Sequence, residues 1–194
     1  MFTWKSSYNI GDQAIDEQHK ELFRQLNAIG ECIADGEEDD ATLSAALDDL
    51  IAYAEQHFED EEALMVRAGV DPRHLKQQQM EHHSFTYDLG KMRGLMVVSD
   101  VNDGYDQLLQ FALNWLIFHT LQTDQQLGVQ LRALQNGSSP DQAYEVAQTV
   151  SFGPAINRPV VAALVHLWTS AMDTVHELEA QLRASESTPA SGQQ

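Results

Sequence analysis

The chain has 194 residues, 43% of them hydrophobic, with 30 acidic side chains against 11 basic ones and a formal net charge of −19. That apolar content suits a globular chain with one sizeable core, and a negative field of this size repels nucleic acid and anionic membrane surfaces, so neither is an expected partner. Cys32 is the single cysteine, which excludes an internal disulfide. No apolar run approaches the roughly 18 residues of a membrane span and no basic-then-apolar leader opens the chain, so a cytoplasmic location is expected.

Residues 1–15 carry Trp4, Tyr8 and Ile10 ahead of Gly11 and read as an irregular aromatic arm covering one end of the core. The first helix is expected to begin near Asp12 or Asp16, acids suited to a helix start. His19, Leu22, Leu26, Ile29 and Ile33 form its stripe, and Cys32 reads as a buried helix residue rather than a nucleophile. Gly36 and the acidic run after it end the helix. That run lacks the spaced ligands of a calcium loop and reads as a solvated turn.

The second helix spans about Asp40 to Arg67 and stops at Gly69, with Asp71-Pro72 opening the next segment. Leu43, Leu47, Leu50, Ala54, His57, Glu61 and Leu64 recur at gaps of four and three, the spacing of a buried face. The register that buries the leucines therefore buries His57 and Glu61. An ionised carboxylate in a dry core is costly unless a cation offsets it, and a histidine one turn away makes a metal the economical explanation.

The third helix covers about Arg73 to Val97, with Leu75, Gln78, His82, Phe85, Leu89, Met92 and Met96 on its stripe. This register selects His82, places Gln78 inside one turn earlier, and leaves His74 and His83 on the flanks. Asp100 to Gly104 reads as a polar turn with Asp103 as a cap. The fourth helix follows to about Leu134, with Leu108, Ala112, Trp115 and His119 aligned and Leu116 beside them. Asp124 falls five residues after His119, about 140° round an ideal helix. The two can face one site only if it lies between their directions or if the helix bulges there.

Gln135 to Ser139 is a break, Ser139-Pro140 is a helix-start signal, and a short helix at about 140–149 leads to Gly153-Pro154. A last helix over about 158–184 tolerates Pro159 in its first turn. Val161, Leu164, Trp168, Ala171, Val175, Leu178 and Leu182 make its stripe, which either closes over the bundle or pairs with a second copy as a coiled coil. His166 and His176 are expected at the surface. The ending, 185–194, reads as a disordered tail.

Four consecutive helices with short turns predict an all-α, up-down-up-down four-helix bundle over 1–136, with an additional C-terminal helical segment over 137–184. Each helix contributes to the interior: His19, His57 with Glu61, His82, and His119 with Asp124. Four histidines and two carboxylates suit borderline metals such as iron, manganese or zinc, and two carboxylates among six donors suit two bridged metals. No Ser/His/Asp constellation or nucleotide-type glycine loop stands out.

The order of these pieces resembles the hemerythrin family, in particular bacteriohemerythrins. The matching stretches are Asp16-Glu17-Gln18-His19 with Leu22-Phe23; His57-Phe58-x-x-Glu61-Glu62 with Met65; His82-x-x-Phe85; and Trp115-Leu116-x-x-His119-x-x-x-x-Asp124. The resemblance covers about residues 1–134 and implies two non-haem iron ions bridged by Glu61, Asp124 and a solvent-derived oxo or hydroxo group. It implies that His19 and His57 hold one iron, which keeps an open position for dioxygen, and that His82, His119 and a third histidine hold the other. That third histidine falls on Gln78 here, a neutral amide and a poorer donor to iron, which either binds through its carbonyl oxygen, hydrogen-bonds a bound water or binds nothing. Trp115, Leu116 and Met65 are candidates for the apolar wall of the pocket.

The implied function is reversible binding of dioxygen or another small diatomic, in oxygen sensing, carriage or scavenging, by a ligand-binding protein rather than an enzyme. The alternatives are a diiron oxidase or peroxide- or nitric-oxide-consuming enzyme, and a signalling module whose output, a homodimer or a partner, runs through 158–184.

Overall fold

In the computed structural model, which describes residues 2–35, 40–96 and 101–186, Asp12 starts the first helix. Its carboxylate accepts from the backbone N–H groups of Ala14 and Ile15, 3.0 and 3.2 Å away, and α1 runs over Gln13–Asp35. Asp16 is buried instead and ties down the arm, accepting from Ile10 N at 2.7 Å and Gly11 N at 3.2 Å. The arm contains one short 3-10 turn, Ser6–Tyr8, and covers the core as its aromatic content predicts: Phe2 stacks on Phe23 and Tyr8 is buried.

Helix α2 spans Asp40–Ala68 and ends at Gly69, whose φ of +69° supplies the left-handed turn a side chain would resist. Helix α3 spans Pro72–Met96 and α4 Val101–Phe118. The fourth helix thus starts earlier than its polar composition suggests, and Asp103 lies within its first turn rather than capping it. Residues 36–39, which hold the acidic turn, and 97–100 lie outside the described residues, as does the 187–194 part of the tail. α4 continues through a π turn, His119–Thr123, into α5, Asp124–Gln135.

Neighbouring helices pack α1 on α2, α2 on α3, α3 on α4 and α4 on α1, which closes an antiparallel four-helix bundle with no strand among the described residues. The stripes read from the sequence face inward: Leu22, Leu47, Leu50, Phe85, Leu89 and Leu108 are all 1% exposed or less. Two apolar clusters result. One contains Phe58, Phe85, Trp115 and Leu116; the other contains Ile10, Met65, Leu127 and Leu131. Ile33, Met92 and Cys32 are half-buried, and the Met96 side chain lies outside the described ones.

Ser139 and Gln142 form a reciprocal cap that starts α6, Pro140–Thr149, and Arg73 pairs with Asp71, Asp141 and Glu145 to fasten α6 to the start of α3. The last helix, α7, spans Pro154–Glu186, so it starts four residues before the expected 158. Pro154 occupies the first turn and Gly153 O receives the N–H groups of Ile156 and Asn157, which leaves Pro159 inside the helix rather than in its first turn. α7 packs along α4, but not by the stripe expected to close over the bundle. Ile156, Val160 and Ala163 are its buried apolar residues, whereas Val161, Leu164, Val165, Trp168, Val175 and Leu178 are exposed. The Leu182 side chain lies outside the described ones; His166 and His176 are exposed as expected. No helix among the described residues is long and apolar enough to cross a membrane.

Candidate metal centre

The π turn settles the position of Asp124. In an uninterrupted α-helix its side chain would point about 140° away from that of His119. Five residues wound as a π turn absorb the extra one, and both side chains reach the interior with 0% exposure. His119 Nε2 lies 3.2 Å from Asp124 Oδ1, and His19 Nε2 lies 3.2 Å from Asp124 Oδ2. The carboxylate therefore offers one oxygen to each side of the bundle axis.

The other predicted donors meet there. His19, His57 and Glu61 form one buried group whose ligand atoms lie within 4.8 Å of one another, and Glu61, His82 and His119 form a second. Glu61 belongs to both. His82 Nε2 is 3.0 Å from His119 Nε2 and 3.5 Å from Glu61 Oε2. Gln78 is 0% exposed, and its Nε2 donates to Asp124 Oδ1 at 2.9 Å.

An outer ring of polar groups sets the direction of the imidazoles. His57 Nδ1 faces Gln18 Oε1 at 3.1 Å, His82 Nδ1 faces Glu62 Oε1 at 2.8 Å, and His119 Nδ1 faces Glu81 Oε2 at 2.8 Å. Each of these acceptors makes Nδ1 the protonated nitrogen and leaves Nε2 bare toward the interior. Thr123 Oγ1 and Gln77 Nε2 hold Glu81 in turn, and Gln18 Nε2 donates to Asp60 at 2.7 Å.

The supports follow a rule. Gln18 precedes His19 on α1 and serves His57 on α2; Glu62 follows Glu61 on α2 and serves His82 on α3; Glu81 precedes His82 on α3 and serves His119. One step along a helix is a turn of about 100°, and neighbouring antiparallel helices turn in opposite senses. Alternating −1 and +1 steps therefore rotate the same way round the bundle. The circuit stops at α1: His19 Nδ1 has no hydrogen-bond partner, and Gln125, next to Asp124, donates to Tyr8 O.

These interior atoms fit a pair of cations. With Nδ1 carrying the proton, His82 and His119 point two lone pairs at each other across 3.0 Å, a repulsive arrangement in an empty core. Two nitrogens bound to one ion at about 2.1 Å and at right angles lie about 3.0 Å apart, so the same spacing is an ordinary edge of a coordination shell. His57 Nε2, both ring nitrogens of His19, both oxygens of Glu61, Asp124 Oδ2 and Gln78 Oε1 are buried without a hydrogen-bond partner. Buried polar atoms of this kind are rare unless a ligand satisfies them.

The charges in the centre agree. Burial, then the charge of Asp124, pushes the Glu61 carboxyl up to about 8. Burial acts the same way on Asp124, but the neighbouring His119 and His19 and the bond from Gln78 outweigh it and hold that carboxyl below its usual range. Burial, with His19 next, holds the His57 imidazole well below its usual value. The two carboxyls are thus pushed in opposite directions, Glu61 toward its protonated form and Asp124 toward its charged one.

Aromatic rings wall the His82–His119 side. Phe58 stacks on His82 with centroids 4.0 Å apart, and Trp115 stacks on His119 at 4.4 Å. Trp115 thus belongs to this wall and Leu116 to the same apolar cluster, whereas Met65 packs in the other. A groove of about 460 Å³ runs between α2 and α3 along Phe58, Glu62 and the outer face of His82. The sequence reading missed Phe58 as a ring partner and Gln18, Glu62 and Glu81 as supports. Their signal was adjacency in the chain to a donor. It also misplaced His74, which is not on a flank but fully buried, with Nδ1 against Gln130. His74 stays outside both donor groups; His83 is exposed.

A model of the hemerythrin HHE cation-binding domain matches residues 11–131, a span that ends before α6. The chain is 27% identical over 129 residues to a bacteriohemerythrin of Clostridium acetobutylicum, covering 65% of this chain and 98% of that protein. It is 29% identical over 120 residues to the myohemerythrin of Sipunculus nudus and 30% identical over 120 residues to that of Riftia pachyptila, in each case covering 61% of this chain and 83% of the relative. No solved structure matches at a significant level.

Proposed function

The chain belongs to the hemerythrin family, and from that premise we propose that it holds two non-haem iron ions and binds dioxygen reversibly inside its bundle. The observation that carries this reading is the pair of buried donor groups sharing Glu61, with Asp124 turned toward both. His19 and His57 hold one ion, His82 and His119 the other, with Gln78 beside it. When bound, an iron pair lends electrons to dioxygen and recovers them on release.

The residues of this chain supply what reversibility requires. Gln18, Glu62 and Glu81 keep three imidazoles aimed inward before any metal arrives, so little reorganisation accompanies loading. Phe58, Phe85, Trp115 and Leu116 keep water away from one flank, and Met65 with its cluster does so at the other. A reducing cytoplasm suits a chain with one cysteine, and the bound molecule serves sensing, carriage or scavenging. The competing reading, consumption of peroxide or nitric oxide, is favoured by the amide at position 78, where a third histidine would be more firmly bonded. Iron analysis joined to absorption spectra separates the two. Reversible binding gives an oxygenated band that disappears under vacuum and returns with air; consumption gives rapid oxidation with many turnovers. A purified, iron-supplied chain without iron refutes both.

A second reading concerns α7 and the domain division of 1–136 from 137–184, and it takes the exposed stripe as the seat of a second copy of this chain. Val161, Trp168 and Val175 repeat every seven residues, with Leu164, Ala171 and Leu178 between them, the a/d pattern of a helix pair. This face lies about 100° round the helix from the one that packs on α4. From Val150 to Met172 the only charged residue is Arg158, in a chain of net charge −19, so two copies meet there with the least repulsion. The exposed side chains leave on the order of 600 Å² per copy, which for a pair reaches the lower edge of specific interfaces.

A further inference from the structure

Gln78 departs from the family's donor pattern, and its surroundings show what the departure does. We propose that Gln78 is not a ligand but a positioning residue, and that it leaves the cation held by His82 and His119 with an exchangeable position that takes water or a small anion. The inference rests on the diiron reading above.

Without position 78, the two sides of the centre have equal donor sets. One side has His19 and His57, the other His82 and His119, and Glu61 and Asp124 lie between them. Each cation then meets two imidazoles and two carboxylates. An ion of the iron type with that set retains open positions for outside ligands. A histidine at 78 would remove one of them from one side only. With glutamine there, and with the solvent-derived bridge of the diiron reading counted as a fifth donor, both cations keep one.

The hydrogen bonding at Gln78 argues against the amide filling the position itself. Its Nε2 donates to Asp124 Oδ1 at 2.9 Å, and turning the amide over would place Oε1 against a carboxylate oxygen, acceptor facing acceptor. The donor end is therefore committed to Asp124, where it holds the carboxylate between His19 and His119. The acceptor end, Oε1, is buried with no partner. A buried acceptor of this kind calls for a small donor molecule, and a water held at the neighbouring cation supplies one. His74 lies outside both donor groups, with its Nδ1 against Gln130 and its Nε2 buried without a partner.

The test uses the full chain loaded with iron and oxidised, titrated with azide while absorption and the infrared azide stretch are recorded. The expected result is two azides per iron pair with two resolved stretches. Gln78→His closes the second position and gives one azide per pair. Gln78→Ala keeps two but loosens Asp124, which appears as weaker iron retention against a chelator. One azide per pair in the parent chain, with both irons present, overturns the inference and leaves the diiron reading standing. A chain that retains no iron overturns both.

Discussion

Replacing Glu61 by glutamine separates the cost of the centre from its use. Glu61 is 0% exposed, and neither carboxylate oxygen has a hydrogen-bond partner. Burial and the charge of Asp124 raise its carboxyl from 4.5 to about 8. A carboxyl raised in the folded state contributes its stability in full below about pH 4.5 and loses it as pH rises through about 8. At pH 7 the unfolded chain has released this proton and the folded chain has not, a cost of about 3 kcal/mol. Glu61→Gln places a neutral group of the same shape in the same space and removes that term. The metal-free variant is therefore expected to be more stable than the metal-free parent by about 3 kcal/mol at pH 7, and by less than about 1 kcal/mol at pH 5. Iron binding moves the opposite way and weakens more than about 100-fold, since the group shared by both ions is lost. Urea unfolding of the metal-free proteins at pH 5, 7 and 8.5, paired with iron titration, reads both effects. A metal-free variant no more stable than the parent at pH 7 would falsify the claim that the empty centre strains the fold.

Three further outcomes are expected. Glu81→Gln loosens His119 and Thr123 together and should weaken iron retention about 10- to 100-fold with helix content unchanged; retention within twofold of the parent in a chelator competition contradicts the supporting ring. Gly128→Ala places a Cβ 2.5 Å from Ile10 O, where the arm crosses α5. Although alanine favours helix, this contact is with backbone, and a net loss of about 1–3 kcal/mol is expected, with Trp4 fluorescence changing as the arm lifts; unchanged thermal unfolding argues against the crossing. Trp168→Glu, at a side chain 69% exposed, should turn a dimeric chain into a monomer by light scattering without altering the iron spectrum. A parent that is monomeric at all concentrations removes the second copy.

Much of this protein is legible in its residues. The three-four spacing on each helix is a local property of a 3.6-residue turn, so the stripes carry His19, His57, Glu61, His82 and His119 inward together with the leucines, and carry Gln78 to the position one turn before His82. Asp124 marks the limit of that reasoning: ideal helix geometry turns it away, and the π turn at His119–Thr123 returns it to the interior. His74 lies within its reach. Four residues before Gln78, it lies about 40° from it round the helix, so periodicity admits it to the stripe as readily as Leu75, and the neighbouring Gln130 of α5 confirms the inward side. On α7 the three-four spacing points to the stripe from Val161, yet the face buried in the fold is Ile156, Val160 and Ala163, a choice that periodicity does not make. Periodicity determines which residues share a face. Which face meets which helix, and which neighbour holds each imidazole, depends on the distances between separate helices, and those exist only once the bundle has closed.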